Sequence, residues 1–66
     1  MHIDSDKLAF AMARKEIGFI DLAKVSGISR TSLSYVNCGK SCKPQTAGAI
    51  ARALGVPVEE IVVREK

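Results

Sequence analysis

Leu22–Val36 reads L-A-K-V-S-G-I-S-R-T-S-L-S-Y-V, and the spacing of its apolar residues decides the fold. Leu22 and Ala23 face inward on a short helix predicted over Phe19–Ser26. Gly27 stands where a left-handed residue closes a helix. Ile28 followed by Ser29 is a staple-and-cap pair, so Ser29 opens a third helix. In that helix Leu33 and Val36 are three apart and turn inward, which leaves Arg30, Thr31, Ser34 and Tyr35 on the outer surface. The glycine permits a sharp turn, the small Ala23 permits close packing, and Leu22, Ile28, Leu33 and Val36 hold both helices on a common core.

Working outward, Asp4 is the N-cap of a first helix, with Ile3 and Leu8 placed as a hydrophobic staple. That helix is predicted over Ser5–Ile17, with Leu8, Ala11 and Met12 as its inward stripe; Gly18 breaks it and is itself a candidate cap for the next helix. Beyond Val36, the loop Asn37–Lys43 (N-C-G-K-S-C-K) holds turn formers and two lysines. Pro44 suits the first turn of a fourth helix, about Gln45–Leu54, closed by Gly55, with Ala47, Ile50, Ala51 and Leu54 inward. Pro57 starts a fifth helix, about Val58–Val63. Alternating patterns are absent apart from the ambiguous run Ile61–Val62–Val63. The fold class is all-α, five short helices in a single domain over residues 1–66. Phe10 and Phe19 fall near the edge of the inward stripes. Core packing is the favoured reading for both, a partner-binding surface the alternative.

A chain of 66 residues closes one core at most. Its 47% apolar content suits a packed domain and not a disordered one. The longest apolar runs, such as Leu8–Ala13, fall far short of the ~20 residues of a membrane helix. With no basic, apolar, cleavable leader, the expectation is a cytoplasmic protein. Cys38 and Cys42 allow one disulfide pair at most, and with His2 they make three potential zinc ligands where a closed site needs four. They read as reduced thiols, with no metal and no cofactor. His2, at the chain start, is read as frayed and takes no role. An enzyme is the weakest class. A shell this thin has little room for a deep small-molecule pocket, no acid/base pair stands at motif spacing, and Cys38 has no nearby histidine to activate it.

The net charge of +3 is unevenly placed. Residues 1–29 balance, residues 53–66 carry one net negative charge, and residues 30–52 carry Arg30, Lys40, Lys43 and Arg52 with no acid. No carboxylate occurs from Leu22 to Val58. A solvated face normally mixes signs. This stretch suits a polyanion, of which a nucleic-acid backbone is the simplest.

Two short helices joined by a Gly-containing turn are the helix-turn-helix layout, in which the protruding third helix fits the major groove. Here the chain resembles the phage repressor and Cro (XRE) family. The likeness lies in Leu22–Val36, in C-G-K-S-C-K-P at Cys38–Pro44, which is similar to the stretch after the recognition helix, and in I-A-R-A-L-G-V at Ile50–Val56 followed by V-E-E-I at Val58–Ile61. It covers about residues 4–63 without a gap. The resemblance implies a five-helix, lambda-repressor-like domain. Arg30, Thr31 and Tyr35 match its base-reading positions, with Ser34 beside them. Gly18 and Phe19 match the phosphate-binding start of the second helix. Lys40, Ser41 and Lys43 match the loop that contacts the sugar-phosphate backbone. The chain departs from the family pattern at Phe19, where glutamine is usual. It departs also at Met12 and Asn37, which replace a common Arg–Glu pair, and at Cys38, which replaces a common asparagine.

On these grounds Arg30 is expected to fork to a guanine, or to clamp a phosphate. Thr31 offers its methyl to thymine or its hydroxyl to a base or phosphate. Its alternative is a helix-start bond to backbone. Tyr35 reaches a base edge or a phosphate, or covers the rim of the core. Ser32 reads as a small packing residue, and the lysines as sequence-independent affinity. A single module buries only ~600–1,000 Å² on DNA, so a homodimer on a pseudo-palindromic operator is expected, with half-sites about 34–36 Å apart. The fifth helix and tail (Ile61, Val62, Val63) are the expected dimer contact. The leading expectation is a DNA-binding transcriptional regulator, a repressor of phage or mobile-element type, with double-stranded DNA as partner and no membrane or small-molecule substrate. An antitoxin-like protein-interaction module on the same fold is the alternative, and a non-specific nucleic-acid binder the third.

Overall fold

The computed structural model describes residues 1–63. Four helices, α1 (Ser5–Lys15), α2 (Phe19–Ser26), α3 (Arg30–Asn37) and α4 (Pro44–Leu54), are followed by one 3-10 turn, Val58–Glu60. Among the described residues there is no sheet, only two isolated bridges. None of these helices is long and apolar enough to cross a membrane.

α1 starts as the capping pattern requires. The Asp4 carboxylate accepts from the backbone N–H groups of Asp6 and Lys7 at 2.9 and 3.2 Å, which satisfies two of the donors that a helix start leaves unpaired. Its end lies earlier than the expected Ile17. Glu16 takes a left-handed conformation (φ 56°, ψ 42°). The Glu16 N–H donates to the Ala13 carbonyl at 3.1 Å and the Ile17 N–H to the Met12 carbonyl at 3.2 Å. These paired bonds are the Schellman arrangement, and Ile17 and Met12 both pack on the core beside them. Gly18 is the extended N-cap of α2, one of the two roles expected of it, while α1 already ends at Glu16.

The turn between α2 and α3 follows the sequence closely. Gly27 adopts φ 74°, which a side chain would strain, and its N–H donates to the Ala23 carbonyl at 3.1 Å. Ser26 adds a stitch, donating from Oγ to Ala23 and accepting from the Ile28 N–H. Ser29 caps α3, its Oγ accepting from the Ser32 N–H at 3.1 Å. Behind this pair lies α4, whose four expected inward residues, Ala47, Ile50, Ala51 and Leu54, are all buried. Leu8, Leu22, Leu33 and Ile50, one from each helix, are fully enclosed together with Ile3 and Ile61.

The two ends depart from expectation. The fifth helix reduces to the three residues of the 3-10 turn, closed by Ile61, and Val62 and Val63 pair with the start of the chain instead of continuing a helix. The β-branched Val62 and Val63 favour that geometry, and a backbone partner is at hand in the start of the chain. Ile3 bridges Val62 and His2 bridges Ser41. The Asp4 N–H donates to the Ile61 carbonyl at 2.8 Å, the Val63 N–H to His2 at 2.9 Å, and the Cys42 N–H to Met1 at 2.7 Å. Residues 1–4 are therefore a strap between the α3–α4 loop and the C-terminal segment, and His2 is not frayed.

The three residues of the expected dimer contact are divided by this arrangement. Ile61 is 0% exposed and belongs to the core, Val62 is half-buried against the strap, and only Val63 faces outward. Ile61→Ala is expected to cost about 2–5 kcal/mol of stability, the usual range for emptying a buried isoleucine site, in chemical denaturation of the isolated chain. A second expectation concerns Glu16. Glu16→Gly relieves a left-handed strain of about 1–2 kcal/mol against an unfolded-state entropy cost of about 0.5–1 kcal/mol. It is expected to raise Tm by a few degrees.

Candidate nucleic-acid interface

α3 buries one side and offers the other. Leu33 and Val36 are in the core, while Arg30, Thr31, Ser34 and Tyr35 are all exposed. The helix has eight residues, which at 1.5 Å per residue makes it about 12 Å long, close to the ~12 Å width of the major groove. Ser32, expected to pack, is exposed and serves the helix start, its hydroxyl 3.0 Å from that of Ser29.

The outer side of α3 and the beginning of α2 border one open hollow of about 760 Å³. Its lining includes the four expected base-reading residues, with Phe19 of the expected phosphate site and Lys40 of the loop. Ile20 and Cys38 complete it, and sequence reasoning had given neither a role there. The signal for Ile20 was present: on a helix with Leu22 and Ala23 inward, position 20 has no place in the stripe. Arg30 and Lys40 are the charged residues of the lining, and no carboxylate belongs to it. These two cations are what the hollow offers a polyanion.

The remaining expected contacts lie outside the hollow. Gly18 is exposed and gives α2 no side-chain cap, which leaves the first-turn N–H groups to other acceptors. Ser41 and Lys43 are exposed in the loop. Ser41 bridges His2, and the adjacent Cys42 is held by Met1, so the strap fixes the loop between the two lysines. Lys43 is itself the N-cap residue of α4 and makes no side-chain cap bond. Cys38 and Cys42 are both free thiols.

Phe19 packs partly on the core, as expected. Phe10 does not: it is 74% exposed and lies on the surface beside Lys7, Arg14, Glu59 and Glu60. Arg14 and Glu60 approach to 3.8 Å there with both side chains largely solvated, a geometry that contributes little to stability.

Among solved structures, the whole chain superposes with a TM-score of 0.84 and 26% identity on PhpD with cadmium and hydroethylphosphonate, covering 14% of that chain. Native PhpD with cadmium atoms matches equally. A 2-hydroxyethylphosphonate dioxygenase matches over 97% of this chain and 15% of its own, with a TM-score of 0.83 and 24% identity. The chain thus spans about one seventh of the length of these structures, with which it shares a fold. No curated protein matches it. The Cro/C1-type HTH DNA-binding domain matches residues 7–66. That match covers both helices of the turn motif, the cationic loop and the core of α4, and the chain belongs to the Cro/C1-type HTH DNA-binding domain family.

Proposed function

We propose that this protein is a sequence-specific DNA-binding transcriptional regulator, a repressor, that lays α3 in the major groove of its operator. The observation that carries the reading is the two-sidedness of α3. Arg30, Thr31, Ser34 and Tyr35 share one open, carboxylate-free hollow with Lys40, while Leu33 and Val36 lock the opposite side into the core. Arg30 at the first helical position donates to guanine O6 and N7, Thr31 and Ser34 serve as small hydrogen-bonding neighbours, and Tyr35 lies one turn further along the groove. The start of α2 and the loop with Lys40, Ser41 and Lys43 grip phosphates and set the register.

Size supports a pseudo-palindromic operator bound by two copies. The longest dimension of the described chain is 31 Å, short of the 34–36 Å between successive major-groove faces, so a second groove needs a second molecule. The reading is that of a binding module and not of an enzyme, acting in the cytoplasm where its DNA lies. No cofactor enters it.

A protein-interaction module is the second reading. It is favoured by the exposure of Phe10, Ile20 and Val25, and by the occurrence of this fold as a small part of longer chains. Selection from a random duplex pool separates the two: a two-fold symmetric enriched sequence supports the regulator, and an unenriched pool removes it. On the enriched site, Arg30→Ala is expected to cost about 1–3 kcal/mol of affinity and to relax specificity at one base pair. Lys43→Ala is expected to weaken all sequences about equally and to lower the salt slope by about one. Unchanged operator affinity in both Arg30→Ala and Tyr35→Ala would sink the assignment of α3 as the reading helix.

A further inference from the structure

The hollow beside α3 is lined mostly by apolar carbon, although it lies on the face that meets a polyanion. Phe19 is half-buried in it, while Ile20 and Tyr35 are 54% and 58% exposed. Ile20 takes no part in the core, which α2 joins through Phe19, Leu22 and Ala23, so folding does not account for an isoleucine at this position. A surface made only to hold phosphates gains nothing from such a side chain. In the major groove the base edges present hydrogen-bond donors and acceptors, and the apolar exception is the C5-methyl group of thymine.

We infer that Ile20, with the ring of Tyr35, reads thymine methyl groups, so that A·T pairs are selected where the operator faces the start of α2. The inference rests on the DNA-binding reading and adds a second helix to it: specificity arises from α2 as well as from α3. Arg30 and Lys40 supply the long-range attraction, and the apolar lining discriminates among the pairs that then come into contact. Because a buried methyl group is stabilised by about 0.8 kcal/mol, each methyl read in this way corresponds to about a fourfold difference in affinity.

The test uses the full chain and duplexes of the site enriched from a random pool, with single thymines replaced by deoxyuridine. Deoxyuridine keeps the base pair and the O4 acceptor and lacks only the methyl group. Fluorescence anisotropy is expected to show about fourfold weaker binding at one or two thymines in each half-site and no change elsewhere. Ile20→Ala, a change at an exposed position that leaves the helical circular dichroism intact, is expected to bind the thymine and deoxyuridine duplexes alike at those positions. Ile20→Val is expected to retain part of the difference. Selective binding that is indifferent to deoxyuridine at every position overturns the inference, as does a full deoxyuridine penalty that persists in Ile20→Ala. Absence of selective binding by the unaltered chain to any duplex at low salt overturns the DNA-binding reading and this inference together. The first two results leave selective binding in place, so the failures are distinguishable.

Discussion

An eight-residue helix does not persist alone in water, where ~12–15 residues are marginal even for good helix formers. α3 exists because Leu33 and Val36 are removed from solvent among Leu22, Ala47 and Ile50, and because Ser29 satisfies an N–H at its start. Neither device uses the outward residues Arg30, Thr31, Ser34 and Tyr35. These take no part in the core and are held in fixed relation by packing on the far side. Burial of that underside is the constraint on which the rest of the site depends. Gly27 sets the angle at which α3 leaves α2, and α2 in turn rests on α4.

Much of this was legible because the inward spacing at three and four residues has a direct physical meaning. In α4 the run Ala47, Ile50, Ala51, Leu54 is the buried stripe without exception, and Gly27 and Ser29 occupy the positions their chemistry favours. What escaped is of another kind. Val58–Val63 holds apolar residues that suit a helix or an extended segment equally, and the choice was made by a partner sixty residues away in sequence: the carbonyls and N–H groups of residues 1–4. No local pattern encodes such a pairing. Glu16 ended α1 ahead of the glycine because the Ile17 side chain could then reach the core, a tertiary gain that outweighs a local strain. Phe10, expected to pack on the core from the edge of the inward stripe with a surface role as the alternative, is exposed, because its position on α1 points away from the stripe made by Leu8 and Ala11.

The site was legible to a similar degree. The outward set on α3 followed from subtraction, once Leu33 and Val36 were placed inside. Ile20 is marked by standing outside the inward stripe of α2, whereas Cys38 required the relative placement of α3 and the loop, which spacing within one helix does not supply. Membership of the Cro/C1-type family accounts for the general role of this face, while Phe19, Ile20 and Cys38 give it an apolar character.

The strap of residues 1–4 couples regions that are remote along the chain. Its backbone bonds join Met1 to Cys42, His2 to Val63 and Asp4 to Ile61. Peeling the strap away breaks all three at once, and uncovers Ile3 and Ile61 in the same event. The amide protons of Cys42 and Val63 should accordingly exchange with solvent as one cooperative unit, at the free energy of that opening. The cationic loop between Lys40 and Lys43 is only as rigid as the chain's first four residues allow it to be.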